Sequence, residues 1–143
     1  MAIIDIFAEI DMVKAGLNNL CVDALKQMLE LQTVLLIDIR EIQELVDLGT
    51  IPGAIHVPRG MLEFWASPTS PYYREVFLEE ATIVVFCAGG GRSALAARDL
   101  SWMGFKDVGH LEAGFNGWAK AGGDIEDFAA TSRWVRREKF GSE

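Results

Sequence analysis

A β-branched run, Thr82-Ile83-Val84-Val85-Phe86, leads straight into Cys87-Ala88-Gly89-Gly90-Gly91-Arg92-Ser93 and then into the helix-forming Ala94-Leu95-Ala96-Ala97-Arg98. This order reads strand, tight loop, helix. It commits the chain to α/β layering, in which a buried strand delivers a loop to the start of a helix. Three successive glycines free the backbone to take positive φ and to curl around a small volume. The first amides of a helix have no intrahelical partner and carry about half a positive charge. Gly89 to Ser93 therefore present several N–H donors to an anion, with the Arg92 guanidinium beside them. Cys87 stands at the entrance of this cradle. A free thiol titrates near ~8.5, and helix N-termini with neighbouring cations bring it down to roughly 3.5–7.5.

The plainer reading of Cys87 is packing, the ordinary role of a cysteine that ends a Val-rich strand. The glycines argue against it, because they weaken a packed segment unless the backbone must curve or meet a ligand closely. Dinucleotide and P-loop uses of glycine are not supported. There is no G-x-G-x-x-G with an acidic partner and no G-x-x-x-x-G-K-[ST].

Along the chain, Ile6, Ile10 and Val13 form a helical stripe within residues 5–15, with Gly16 as its expected left-handed end. Covering the core is the default use of such a stripe, against a partner or dimer contact. Leu20-Cys21-Val22 reads as a short edge strand, with Asp23 as N-cap of a helix burying Leu25, Met28 and Leu29. Thr33 to Ile39 is apolar almost throughout, as in a strand covered on both faces. Its carboxyl end carries Asp38 and Arg40, and a helix follows from Glu41 to Leu48, closed by Gly49. Ala54 to Val57 is a short strand, and Arg59 to Trp65 is helical. The Pro/Ser-rich break 67–71 is a surface crossing. After the Cys87 loop, Gly104-Phe105 reads as a Schellman end, Val108 to Leu111 as the last strand, and Phe115 and Trp118 as one face of a short helix. Five strands alternating with helices predict an open parallel five-stranded sheet with helices on both faces. Ligands of such sheets bind beyond the carboxyl ends of the strands. That edge receives the Cys87 loop together with Asp38, Arg40 and Arg59.

The 143 residues predict one domain, with a core over about 20–125, an N-terminal helix, and a C-terminal tail carrying Arg133, Arg136, Arg137 and Lys139 near Trp134. The tail is expected to be solvated or to contact a second copy in a homodimer. No apolar run reaches the roughly 18 residues of a membrane span. Asp5, Glu9 and Asp11 interrupt what would be a secretory signal, so a cytoplasmic protein is expected. The net charge of −8 argues against nucleic acid. With two cysteines, two histidines and no C-x-x-C, neither a metal site nor another cofactor is expected. Cys21 reads either as a resolving thiol or as a core residue, and its apolar neighbours favour the core. His56 and His110 fall in strands, where packing is the leading role.

The residues resemble the rhodanese (thiosulfate sulfurtransferase) family, whose active loop is a Cys followed by a short Gly-containing turn. Leu36-Ile37-Asp38-Ile39-Arg40-Glu41 is similar to the family's Asp-x-Arg strand end. Gly49-Thr50-Ile51-Pro52-Gly53-Ala54-Ile55-His56-Val57-Pro58 resembles its Gly-His-Ile-Pro-Gly-Ala segment. Leu111-Glu112-Ala113-Gly114-Phe115-Asn116-Gly117-Trp118 resembles its Gly-Gly-aromatic-x-x-Trp closure. Thr50 replaces the usual His and Ala113 the usual first Gly.

The resemblance implies sulfur transfer through a Cys87 persulfide, from thiosulfate or a similar anionic donor to a thiol, cyanide or protein-thiol acceptor. Ala88, Gly89, Gly90, Gly91, Arg92 and Ser93 would bind the transferred group, with Arg92 on the donor's sulfonate. Asp38, Arg40 and Arg59 are candidate pocket residues, and for the first two a structural ion pair is the favoured alternative. Two other readings stay open. One is a persulfide carrier or regulatory binding module on the same fold. The other is a cysteine phosphatase or arsenate reductase, which places five residues between Cys and Arg where this chain has four.

Overall fold

The computed structural model describes residues 2–132. Five strands, β1 (Asn18–Leu20), β2 (Leu35–Asp38), β3 (Ile55–His56), β4 (Thr82–Phe86) and β5 (Asp107–Leu111), form one sheet in the order β1-β5-β4-β2-β3. Every pairing is parallel. β4 lies at the centre, so the loop that follows it opens at the middle of the carboxyl edge. Helices α1 (Ile6–Lys14), α2 (Val22–Leu31), α3 (Ile42–Leu48), α4 (Leu62–Ala66), α5 (Gly91–Met103), α6 (Gly114–Lys120) and α7 (Phe128–Thr131) make the connections and flanks.

Alternation along β4 divides the core. Ile83, Val85 and Cys87 face one side, where they pack with Leu62, Ala66, Ala96, Ala97 and Leu100. Val84 and Phe86 face the other, with Leu25, Leu111, Phe115 and Trp118. A parallel strand buried on both faces has this continuous apolar composition because helices cover each side. α5 ends as expected: Gly104 is left-handed at φ 116°, and the Phe105 N–H reaches the Leu100 carbonyl at 3.3 Å.

Several local expectations shift. β1 is Asn18–Leu20 rather than Leu20–Val22, and the N-cap of α2 is Cys21 rather than Asp23. Cys21 is exposed, not core, and its Sγ accepts the Ala24 N–H at 3.4 Å. A sulfur at N-cap thus takes a role that a hydroxyl or carboxylate usually fills. α1 ends on right-handed Ala15, without a left-handed Gly16. Of the expected stripe, Ile10 is buried in the covering role, whereas Val13 is half-buried and Ile6 exposed. The basic residues Arg133, Arg136, Arg137 and Lys139 lie outside the described residues.

Candidate active site

Cys87 follows the last residue of β4, and the next helical turn folds back over its sulfur. Sγ accepts the Gly90 N–H at 3.1 Å and the Ser93 N–H at 3.4 Å, and lies 3.5 Å from Ser93 Oγ. The main-chain donors anticipated by the glycine-rich loop are therefore turned inward. Burial pushes the thiol pKa up. The Ser93 side chain and the amides of Ser93, Gly90 and Gly89 outweigh burial, and the net pKa lies below that of an ordinary thiol. Cys87 itself is only 1% exposed. It sits on the floor of the cradle rather than at its entrance, because the strand direction points its Cβ into the α5-facing layer.

Only one of the three glycines in the loop has positive φ. Gly90 has φ 97°, and a side chain there would run into the Glu112 carbonyl oxygen. Gly89 is exposed, with open space where a Cβ would stand. Gly91 lies against Ile10 of α1, whose Cδ1 would be 3.5 Å from a Cβ. From the opposite side α6 clasps the loop. The Phe115 N–H donates to the Cys87 carbonyl at 2.8 Å and the Asn116 N–H to the Ala88 carbonyl at 3.0 Å. This approach requires Gly114, which has φ 67° and whose Cβ would collide with Ala88 O. Ala113, in an ordinary right-handed conformation, serves in place of a first glycine.

The expected cationic side chains go elsewhere. Arg92 makes two bonds to Glu44, Nη1–Oε2 at 2.8 Å and Nη2–Oε1 at 3.0 Å. This bond to Arg92, followed by the one from Glu41 N, holds the Glu44 carboxyl below its usual range against burial. Arg92 is thus not a free sulfonate ligand. Asp38 and Arg40 do not line an open pocket, since both are fully buried. Arg40 Nη2 bonds Asp38 Oδ2 and the Gly49 carbonyl, each at 2.7 Å, and its Cζ lies 4.2 Å over the Phe115 ring. Thr50, standing where a His was expected, donates its hydroxyl to Asp38 Oδ2 at 2.7 Å. Arg59 pairs with Glu63 and with Asp99 of α5. A guanidinium with two carboxylates already on it is a strut between elements, not a pocket cation.

Two residues that sequence reasoning set aside or overlooked stand directly behind the sulfur. His110 of β5, fully buried, has Nδ1 2.9 Å from Ser93 Oγ and Nε2 2.6 Å from Asn19 Oδ1 of β1. The available signal was a polar ring inside the apolar run Val108-Gly109-His110-Leu111. What it faces is decided by the β1–β5 and α5–β5 packing, across wide sequence separations.

Residues 22–121 match the family model described as Rhodanese-like domain. The chain is 30% identical over 105 residues to the Bacillus subtilis (strain 168) "Putative sulfur carrier protein YrkF", spanning 73% of this chain and 52%, about half, of that protein. It is 29% identical over 106 residues to a "Sulfurtransferase" of Allochromatium vinosum, covering 73% of this chain and 91% of that one. Among solved structures, a Rhodopseudomonas palustris protein described as of unknown function, "Possible Tyrosine Phosphatase", aligns with a TM-score of 0.83 at 40% identity, over 88% of this chain and 97% of its own.

Proposed function

Because this chain belongs to the rhodanese-like domain family, we propose that it is a sulfurtransferase that carries a sulfane sulfur on Cys87, moving it from an anionic donor such as thiosulfate to a thiol or cyanide acceptor. The observation that carries this reading is the convergence of the Gly90 and Ser93 amides and the Ser93 hydroxyl on one sulfur atom. Donors held by the fold and already aimed at the nucleophile need no reorganisation when charge develops there.

In the first half-reaction the Cys87 thiolate attacks the outer sulfur of the donor. The donor S–S bond breaks, sulfite leaves with the electron pair, and Cys87 becomes a persulfide. In the second, an acceptor thiolate or cyanide attacks the outer sulfur and Cys87 departs as thiolate. Ala88, Gly89, Gly90, Gly91 and Ser93 frame the group in transit. The exposed face at Gly89 is the side from which reactants approach. With Arg92 partly neutralised by Glu44, the main chain takes the larger share of donor binding. A reactive thiol of this kind fits the cytoplasm, where thiols stay reduced.

The name of the Bacillus subtilis relative favours a carrier variant of the same chemistry, in which a protein thiol is the acceptor. A protein thiol that discharges the persulfide much faster than cyanide supports it. The name of the Rhodopseudomonas palustris neighbour favours a phosphatase. Against this, the loop has four residues between Cys87 and Arg92, and the arginine is engaged by Glu44. Phosphate-ester turnover above thiosulfate turnover would reverse that preference. The decisive measurement is intact-protein mass spectrometry after incubation with thiosulfate. Wild type is expected to gain one sulfur atom and Cys87→Ser none; equal gain, or none in either, defeats the assignment.

A further inference from the structure

Behind the Cys87 sulfur runs a hydrogen-bonded chain that the exchange of sulfur does not itself require: Sγ, Ser93 Oγ, His110 Nδ1, His110 Nε2, Asn19 Oδ1. Its far end fixes the tautomer of the His110 ring. Asn19 Nδ2 donates to the carbonyls of Lys14 at 2.8 Å and Leu17 at 3.2 Å, so the atom facing His110 is the amide oxygen. An amide oxygen only accepts, and Nε2 must therefore carry a hydrogen. In the neutral ring Nδ1 is then a bare acceptor. Burial, with Lys14 adding to it, lowers the His110 pKa to about 4, so the isolated ring is neutral at ordinary pH.

Ser93 has one hydroxyl hydrogen and two neighbours that can claim it. When Cys87 is a thiol, S–H donates to Oγ and Oγ–H donates to Nδ1, and all groups are satisfied. When the sulfur is anionic and the ring neutral, both are acceptors for that one hydrogen: either Nδ1 is left bare, or the anionic sulfur is left with the Gly90 and Ser93 amides alone. When the sulfur is anionic and the ring protonated, Nδ1–H donates to Oγ and Oγ–H donates to Sγ, and the chain is complete again. A buried polar chain disfavours the half-satisfied arrangement.

We propose that Cys87 and His110 ionise as one unit through Ser93, the sulfur anionic when the ring is protonated, and that His110 is the positioning residue that keeps the nucleophile charged as the medium acidifies. In the transfer, the S–H bond breaks as Oγ takes that hydrogen, and the former Oγ–H bond breaks as its hydrogen passes to Nδ1. Thiol and neutral imidazole become thiolate and imidazolium, with no oxidant, reductant or outside base. The burial of Cys87 gives this route its purpose, since a residue 1% exposed meets little water to take its proton. An anionic sulfur in turn raises the proton affinity of the nearby ring.

The other charged groups facing the chain come as opposed pairs. Lys14 of α1 and Glu112 beyond β5 have Nζ and Oε1 4.0 Å apart, and Arg92 of α5 faces the sulfur with Glu44 of α3 upon it. The inference rests on Cys87 being the sulfur-accepting thiol.

The test is the pH profile of Cys87 alkylation by iodoacetamide, read on the Cys87 peptide by mass spectrometry so that exposed Cys21 does not contribute. A lone thiol loses reactivity tenfold for each pH unit below its midpoint, whereas a coupled pair titrates over a wider range. Wild type is expected to fall by less than tenfold per unit on the acid side. His110→Leu is expected to follow the full tenfold slope and to alkylate at least about tenfold more slowly than wild type at pH 5, with rates within about twofold at pH 9. Superimposable profiles overturn the proposal. Should His110→Leu fail to fold, ¹⁵N NMR of the His110 ring in wild type against Cys87→Ala serves the same end. The ring is expected to protonate about one pH unit lower without the sulfur, and an unchanged midpoint is the overturning result. A wild type that shows the coupled profile yet gains no sulfur from thiosulfate defeats the sulfur-transfer reading and leaves the coupling standing.

Discussion

Arg40 ties the carboxyl ends of the sheet together. It holds Asp38 at the end of β2 and the Gly49 carbonyl beyond α3, while its guanidinium stacks on Phe115 of α6. Removing its side chain would leave the buried Asp38 carboxylate without a cation, held only by the Thr50 hydroxyl and the residue-40 main-chain N–H. Breaking a buried pair from one side costs about 3–5 kcal/mol. Arg40→Ala is therefore expected to lose about that much stability in chemical denaturation, while sulfur uptake per folded molecule stays close to wild type. A large loss of uptake at unchanged stability would instead make Arg40 a ligand-binding group. The Asp-x-Arg pattern was legible from the residues, and so was its structural alternative. Its inward direction was not, because what buries Arg40 is the ring of Phe115, 75 positions downstream.

Three helices shape the loop between them. α5 supplies the amides of Gly90 to Ser93, α6 anchors the carbonyls of Cys87 and Ala88, and α3 reaches across through Glu44 to hold Arg92. The last contact sets how much positive charge an incoming anion meets. Glu44→Gln is expected to release the guanidinium and lower the KM for thiosulfate severalfold with little change in kcat, measured as steady-state thiocyanate formation. An unchanged KM would show that Arg92 does not reach the donor even when free. The elements themselves follow closely from the chain: a β-branched run for β4, apolar spacing and Gly104 for α5, an apolar run for β2. β1 slipped by two residues because an edge strand of three carries little periodicity, and sulfur capping at Cys21 has no strong sequence signature. The Glu44–Arg92 pair spans 48 positions, a distance over which charge pattern alone carries no partner.

For the molecule as a whole, acid stability turns on the same buried ring. While Cys87 is a thiol, burial holds the pKa of His110 at about 4 in the folded protein, against ~6.5 in the unfolded chain, so the unfolded state binds the proton more readily. Stability that is full above pH ~6.5 is progressively lost as pH falls towards 4, and this group accounts for about 3 kcal/mol of the loss. The depressed Glu44 carboxyl acts in the same direction. His110→Leu is expected to flatten the fall in chemical-denaturation stability between pH 6.5 and 4; an equally steep fall would place the acid sensitivity elsewhere. The parallel five-stranded architecture and the position of the cysteine loop were readable because each strand–loop–helix unit is local. The chain behind the sulfur was not, since it joins β1, β5 and α5 through contacts that only the closed sheet creates. No helix among the described residues is long and apolar enough to cross a membrane. The α6 clasp has one further bearing. Because main-chain groups of α5 and α6 fix the geometry around Cys87, positions 88 and 89 need no particular side chain for that duty, and Gly89 borders the outside with open space where a Cβ would stand. Choice of reactant and reactivity of the nucleophile are thereby separable traits: exchanging two residues could redirect such a protein to another donor while its chemistry stays intact.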